Sequence, residues 1–174
     1  MIKKVVVIGP ESTGKSTISA ALALHYNTIW CPEYAREFLT AHGKDYSYDD
    51  LLTIAKGQVR LEDEYREKSE RSPLFIDTNM YVMQIWCEYV FDNCHKFILD
   101  EIVTRKYDLY LLCNTGLPWV NDELREYPDP GIRQKLFLMY KEIMINQDTP
   151  WVEINGDPGQ RLEIAVNAID SILK

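Results

Sequence analysis

The chain has 174 residues, 46% of them hydrophobic, enough to bury a full core, and it reads as one domain over residues 1–174. Its 27 acidic side chains outnumber 19 basic ones; the net charge of −8 argues against a nucleic-acid partner, because phosphate backbones attract basic faces. No apolar run reaches membrane-helix length and Met1-Ile2-Lys3-Lys4 runs straight into a strand, so a cytoplasmic protein with no leader and no membrane partner is expected.

Strand and helix signals alternate along the chain, the pattern of an α/β protein with a parallel sheet. An apolar strand over 3–8 precedes a helix over 15–26. A short strand over 28–31 ends at Pro32, and a helix from 33 to 41 is stopped by Gly43. Ser47 and Asp50 read as a capping box that opens a long helix over 48–71, with Leu51, Ile54, Ala55 and Val59 as its apolar stripe. The charged stretch 62–71 reads as a solvated face. A buried strand over 74–78 follows, then an apolar helix over 80–91, a helix over 96–106 and a strand over 109–113. Turn formers dominate 114–131, an expected lid of about 114–132, and long loops in compact domains usually carry function. A helix over 132–146, a strand over 151–154 and a helix over 158–173 close the chain, giving five strands, each followed by helix. Cys31, Cys87, Cys94 and Cys113 form no C-x-x-C pair and have no histidine cluster beside them, which excludes a zinc site and suits reduced thiols.

Directly after the first strand stands Gly9-Pro10-Glu11-Ser12-Thr13-Gly14-Lys15-Ser16. Water holds a triphosphate strongly, so a site must replace that water with many donors at once. A glycine-rich loop does this with converging backbone N–H groups and a helix N-terminus. Gly9 lets the chain leave the strand sharply, and Gly14 lets the backbone approach phosphate. Glu11, Ser12 and Thr13 form the rest of the cradle, Lys15 reaches the β- and γ-phosphates, and the Ser16 hydroxyl is a ligand for Mg²⁺. Thr17 either supports the helix start or is an ordinary first-turn residue. ATP and Mg²⁺ are therefore the expected ligands.

Two carboxylates end strands on the side where open α/β sheets bind ligands. Asp77 suits magnesium or a substrate proton, though Asp77, Thr78 and Asn79 all suit a helix N-cap as well. Glu33 suits the acceptor hydroxyl, with Arg36 either a charge clamp or its local ion-pair partner. In the lid, Arg125, with Arg133 just beyond, fits closure over a transferring phosphoryl group, and Trp119 fits a contact with ligand or lid. Asn155-Gly156-Asp157 is either the adenine side of the nucleotide site or a plain turn.

Eight segments resemble the ribosylnicotinamide kinase domain of NadR-type proteins, in the P-loop kinase group. They are G-P-E-S-T-G-K-S-T at 9–17, P-E-Y-A-R-E-F at 32–38, I-A-K-G-Q at 54–58, F-I-D-T at 75–78, I-W-C-E at 85–88, Y-D-L-Y-L-L-C at 107–113, P-W-V-N-D at 118–122, and Leu124-Arg125-Glu126. The resemblance covers essentially the whole chain and implies a three-layer P-loop kinase fold with a five-stranded parallel sheet. It implies transfer of the ATP γ-phosphate to the 5′-hydroxyl of nicotinamide riboside. A small nucleoside-like substrate suits the residues: Tyr34, Tyr81, Trp86 and Trp119 for the cationic ring, and Glu33, Asp77 and Glu88 for ribose and charge. Proteins of this type often carry an adenylyltransferase domain ahead of the kinase, sometimes with a DNA-binding segment. Neither is expected in this chain, so regulation by DNA is not carried over. A kinase of another nucleoside or vitamin alcohol and a regulatory NTPase are the competing readings. The oligomeric state stays open, a homo-oligomer included.

Overall fold

A computed structural model describes residues 2–174. Strand β1 (Lys4–Ile8) leads through the glycine loop into α1 (Lys15–His25). The edge strand β2 (Trp30–Cys31) is followed by α2 (Tyr34–His42) and α3 (Tyr48–Lys68). Then come β3 (Leu74–Asp77), α4 (Met80–Phe91), α5 (Lys96–Thr104), β4 (Leu109–Cys113), α6 (Pro130–Asn146), β5 (Trp151–Ile154) and α7 (Pro158–Leu173). All strands run parallel in the order β2-β3-β1-β4-β5.

The period-two alternation of β1 sorts its side chains between two layers of helices. Val5 and Val7 pack with Phe75, Leu109 and Leu111 against Ile18 and Leu22 of α1 and Ala165 and Ile169 of α7. Val6 and Ile8 pack with Ile76 and Leu112 against Val82 and Ile85 of α4 and Leu136 and Tyr140 of α6. A satellite cluster joins Phe38 and Leu39 of α2, Leu51 and Ile54 of α3, Met83 and Cys87 of α4, and Ile98 of α5. This is the expected three-layer arrangement, and it leaves the C-terminal ends of the strands open at one rim.

Several element ends differ from the sequence expectation, those of β2, α6 and α3 among them. β2 spans only two residues, Trp30 and Cys31, paired with Phe75 and Ile76 of β3 and ended by Pro32. α6 begins at Pro130 rather than 132, because proline suits a first helical turn and Asp129 caps it by accepting from the Ile132 N–H at 2.8 Å. α3 ends at Lys68, within the charged stretch and three residues short of the expected end.

That charged face is not uniformly solvated. Glu62 is 2% exposed. It accepts from Lys4 Nζ at 3.1 Å and from the Tyr107 hydroxyl at 2.9 Å, and pairs with Arg105 Nη1 at 3.1 Å. Arg105 also forks onto Asp63 and bonds Glu101. The network ties α3, α5 and the start of β1 together at the rim opposite the glycine loop. Removing one member of a buried ion cluster leaves the others uncompensated, so Glu62→Ala should lose about 3 kcal/mol in urea unfolding. Glu64→Ala, on the exposed side of the same helix, should stay within about 0.5 kcal/mol of wild type.

Candidate active site

The glycine loop is held in a shape only its glycines allow. Gly9 has φ 141°, and a Cβ there would stand 2.7 Å from the Cys113 carbonyl oxygen. Gly14 caps α1 from the left-handed region, φ 76° and ψ 23°. No side chain caps α1 and its first turn carries no acid, so its orphan amides are free for an anion. Lys15 Nζ donates to the Pro10 carbonyl at 3.1 Å, which holds the ammonium across the loop. Beneath the loop lies Arg161 of α7, 4% exposed, donating to the Thr13 carbonyl at 2.5 Å and to the Ile154 carbonyl at 3.2 Å. Sequence gave no signal for Arg161 beyond a lone cation on an otherwise apolar helix face.

At the end of β3, Asn79 takes the capping work: its Oδ1 accepts from the Tyr81 N–H at 3.1 Å. Asp77 is thereby left free of that task. It is fully buried, its Oδ2 accepts from the Ser16 hydroxyl at 2.5 Å, and its Oδ1 has no partner. Burial first, and then the Glu33 charge, push its carboxyl up to about 6, with Lys15 and the Ser16 bond opposing. A hydroxyl beside a buried carboxylate with a free oxygen fits a hard cation such as Mg²⁺.

One cavity opens between the glycine loop, helices α2, α4 and α6, and the lid. Glu33 and Arg36 stand on its wall with Trp86, while Asp77 lies under Ser16 and outside the lining. The Trp86 ring is half-buried, set edge-on to Tyr46 at 4.9 Å and fixed by an Nε1–H donated to the Tyr46 hydroxyl at 2.8 Å. Tyr89, Tyr127 and Tyr140 complete an aromatic wall that the sequence reading missed. Tyr89 was legible: Val82, Ile85, Trp86 and Tyr89 fall at helical spacing on one face of α4 and all line the cavity. Tyr127 and Tyr140 come from distant segments and carried no such signal.

Several expected members are not at the cavity. The Tyr34 ring packs on α3 at Gly57, because its backbone starts α2 facing that helix. Tyr81 and Glu88 line a separate surface groove between α4 and α6, on the other face of α4. Asn155 is exposed and outside the lining, and Asp157 caps α7 in a capping box with Gln160. That segment makes the turn before α7 and does not line this cavity. Trp119 also lies outside the cavity, its ring under the guanidinium groups of Arg125 and Arg133 at 5.9 and 5.6 Å.

The lid lies down on the glycine loop through side chains of that loop. Glu11 does not turn toward the phosphate cradle; its Oε2 accepts from the Glu126 and Tyr127 N–H groups at 2.9 and 3.2 Å. Burial raises the Glu11 carboxyl while those two bonds lower it. Ser12 Oγ accepts from the Val120 N–H at 3.0 Å and from Arg125 Nη1 at 3.3 Å. Arg125 thus lines the cavity. Arg133 does not: it is 5% exposed and braces the loop by donating to the Ser12 and Leu117 carbonyls at 3.1 and 3.4 Å. Arg36 pairs with Asp122 of the lid at 2.8 Å rather than with Glu33.

The AAA_28 family model, an AAA domain, matches residues 4–161. The chain belongs to this AAA-domain family. Among relatives of this AAA-domain chain, the trifunctional NAD biosynthesis/regulator protein NadR of Salmonella typhimurium (strain LT2) is 34% identical over 157 residues, 88% of this chain. The chain spans about two fifths of the length of the curated relatives it matches, 38% in that case. A crystal structure of NadR protein in complex with NR superposes with a TM-score of 0.81 at 22% identity, covering 98% of this chain and 49% of that one. A deoxyadenosine kinase from M. mycoides gives a TM-score of 0.65 at 14% identity, over 97% of this chain and all of that one. These likenesses establish the P-loop kinase fold.

If Glu11 holds the lid, Glu11→Ala should speed hydrogen exchange at the Glu126 and Tyr127 amides about 10-fold, the equivalent of one lost charge-assisted bond. Exchange at the α1 amides should not change. Unaltered rates at both lid amides would remove the clasp.

Proposed function

We propose that the chain is an ATP-dependent kinase that phosphorylates the 5′-hydroxyl of nicotinamide riboside to give nicotinamide mononucleotide, with residues 1–174 as one kinase domain. One observation carries the reading: Glu33, Lys15, Ser16 and the fixed Trp86 ring line a single cavity. The 34% identity to a NadR protein and the likeness to a NadR structure holding NR support the choice of acceptor.

In this reading the loop amides, the start of α1 and Lys15 hold the donor phosphates. Ser16 and Asp77 would hold Mg²⁺, which would supply neutralisation of phosphate charge. Glu33, the carboxylate on the open face, orients the acceptor hydroxyl and takes its proton. As the new bond to the γ-phosphorus forms, the bond to the bridging oxygen breaks, and Arg125 neutralises charge in the cavity. Arg36 holds the lid through Asp122. Trp86 and the tyrosine wall offer π faces to a cationic pyridinium ring. Most of the catalysis is positioning and electrostatics.

The direct test is ADP formation from Mg-ATP with and without nicotinamide riboside, alongside a panel of other nucleosides and vitamin alcohols. Stimulation by nicotinamide riboside above all others is expected; ADP formed at one rate regardless would sink the assignment. Lys15→Ala should lower kcat by about 10²–10³-fold with the fold intact by circular dichroism. Glu33→Gln should lower kcat by about 10²–10⁴-fold at unchanged magnesium dependence. Asp77→Asn should raise the magnesium concentration needed for half-maximal rate, and a magnesium shift in Glu33→Gln alone would reverse the two roles.

A further inference from the structure

The segment Ile54–Gln58 carries part of the family resemblance yet touches no part of the cavity. It lies in α3, behind β2 and α2. Its last member, Gln58, is 1% exposed, and its amide is engaged by a single neighbouring stretch of chain. The Tyr34 N–H donates to Gln58 Oε1 at 2.8 Å. Gln58 Nε2 lies 3.4 Å from the Pro32 carbonyl and 3.7 Å from Cys31 Sγ. These contacts flank Glu33 on both sides.

Helix capping explains why this matters. α2 starts at Tyr34 with Glu33 as its N-cap residue, and the Glu33 side chain makes no capping bond. The first amide of such a helix has no partner within the helix. Gln58 supplies one from outside and so holds the start of α2, while the Glu33 side chain, which makes no capping bond, lines the cavity. Gly57 completes the seat: a Cβ there would lie 2.0 Å from Tyr34 Cε1 and 2.3 Å from Cδ1. The ring of Tyr34 therefore beds on α3 only because position 57 has no side chain.

We propose that Gln58, with Gly57, is a positioning residue for the acceptor carboxylate: the α3 amide grips the chain on both sides of Glu33 and aims it. The proposal rests on the reading of Glu33 as the acceptor-side base. A polar residue buried only for stability would affect donor and acceptor functions alike, whereas one acting through Glu33 affects the transfer step.

Gln58→Met keeps the length of the side chain and removes the amide; Gln58→Glu keeps the acceptor for Tyr34 and removes the donor. With nicotinamide riboside and Mg-ATP, Gln58→Met should lower kcat about 10–100-fold, as a misplacement near 1 Å does, while the ATP KM stays within about 2-fold. Gln58→Glu should recover part of the loss. In a Glu33→Gln background, Gln58→Met should change kcat by less than about 3-fold, because the group it aims is already gone. Losses that multiply in the double variant, or a kcat loss matched by an equal rise in the ATP KM, would overturn the positioning role. A crystal structure of Gln58→Met decides the point without any acceptor: the Glu33 carboxylate should move by about 1 Å or more, and a carboxylate still in place overturns the proposal. If wild type transfers nothing to nicotinamide riboside, the proposed function fails while this structural comparison still decides Gln58.

Discussion

The arrangement depends on the unpartnered amides where the glycine loop enters α1. Backbone donors in a concavity cost free energy unless water or an anion satisfies them. Their geometry is enforced from two sides. Gly9 and Gly14 admit the positive φ values of 141° and 76° that the turn needs. Arg161 pins the Thr13 carbonyl from below and Arg133 the Ser12 carbonyl from the lid side. Both arginines are more than nine-tenths buried, so their bonds to the loop compete little with water. A loop built this way is preorganised for a polyanion before one arrives.

Around that loop, the carboxylates are graded by burial. Asp77 has no exposure and an open oxygen, which makes it costly as a lone charge and well suited beside a cation. Glu33 is half-buried and lines the cavity wall. Glu11 faces away from the cradle and satisfies two lid amides. Glu11 is turned to the lid, while Glu33 and Asp77 still feel each other, the Glu33 charge raising the Asp77 carboxyl. The lid is held by Glu11 and Ser12 of the glycine loop and by Arg36 of α2 and Tyr46 ahead of α3. Lid position is therefore linked to the loop and to α2 together.

Much of this was written in local sequence. Apolar runs and capping signals placed the five strands and the helices after them, since strand and helix periods differ and caps need particular side chains. The segment 9–16 specified a phosphate loop outright, because a strand, two required glycines and a helix start occupy consecutive positions. Asp77 and Glu33 were found because a parallel sheet brings its strand ends to one rim.

Tertiary structure alone decided what each side chain faces. Glu11, Arg36 and Arg133 pair with partners 115, 86 and 121 positions away, and no local pattern encodes such pairings. Glu62 reads as one more charge on a wet helix until α5 and β1 close over it. Tyr34 and Trp86, aromatic residues of similar promise in sequence, part company because one meets Gly57 and the other meets the cavity. The sequence by itself determined the sheet, the helices and the loop that faces phosphate, since those follow from backbone conformation and periodicity. Which carboxylate meets the open cavity, which lies beneath Ser16 and which holds the lid was settled by packing, because only the folded chain decides which oxygens water can still reach.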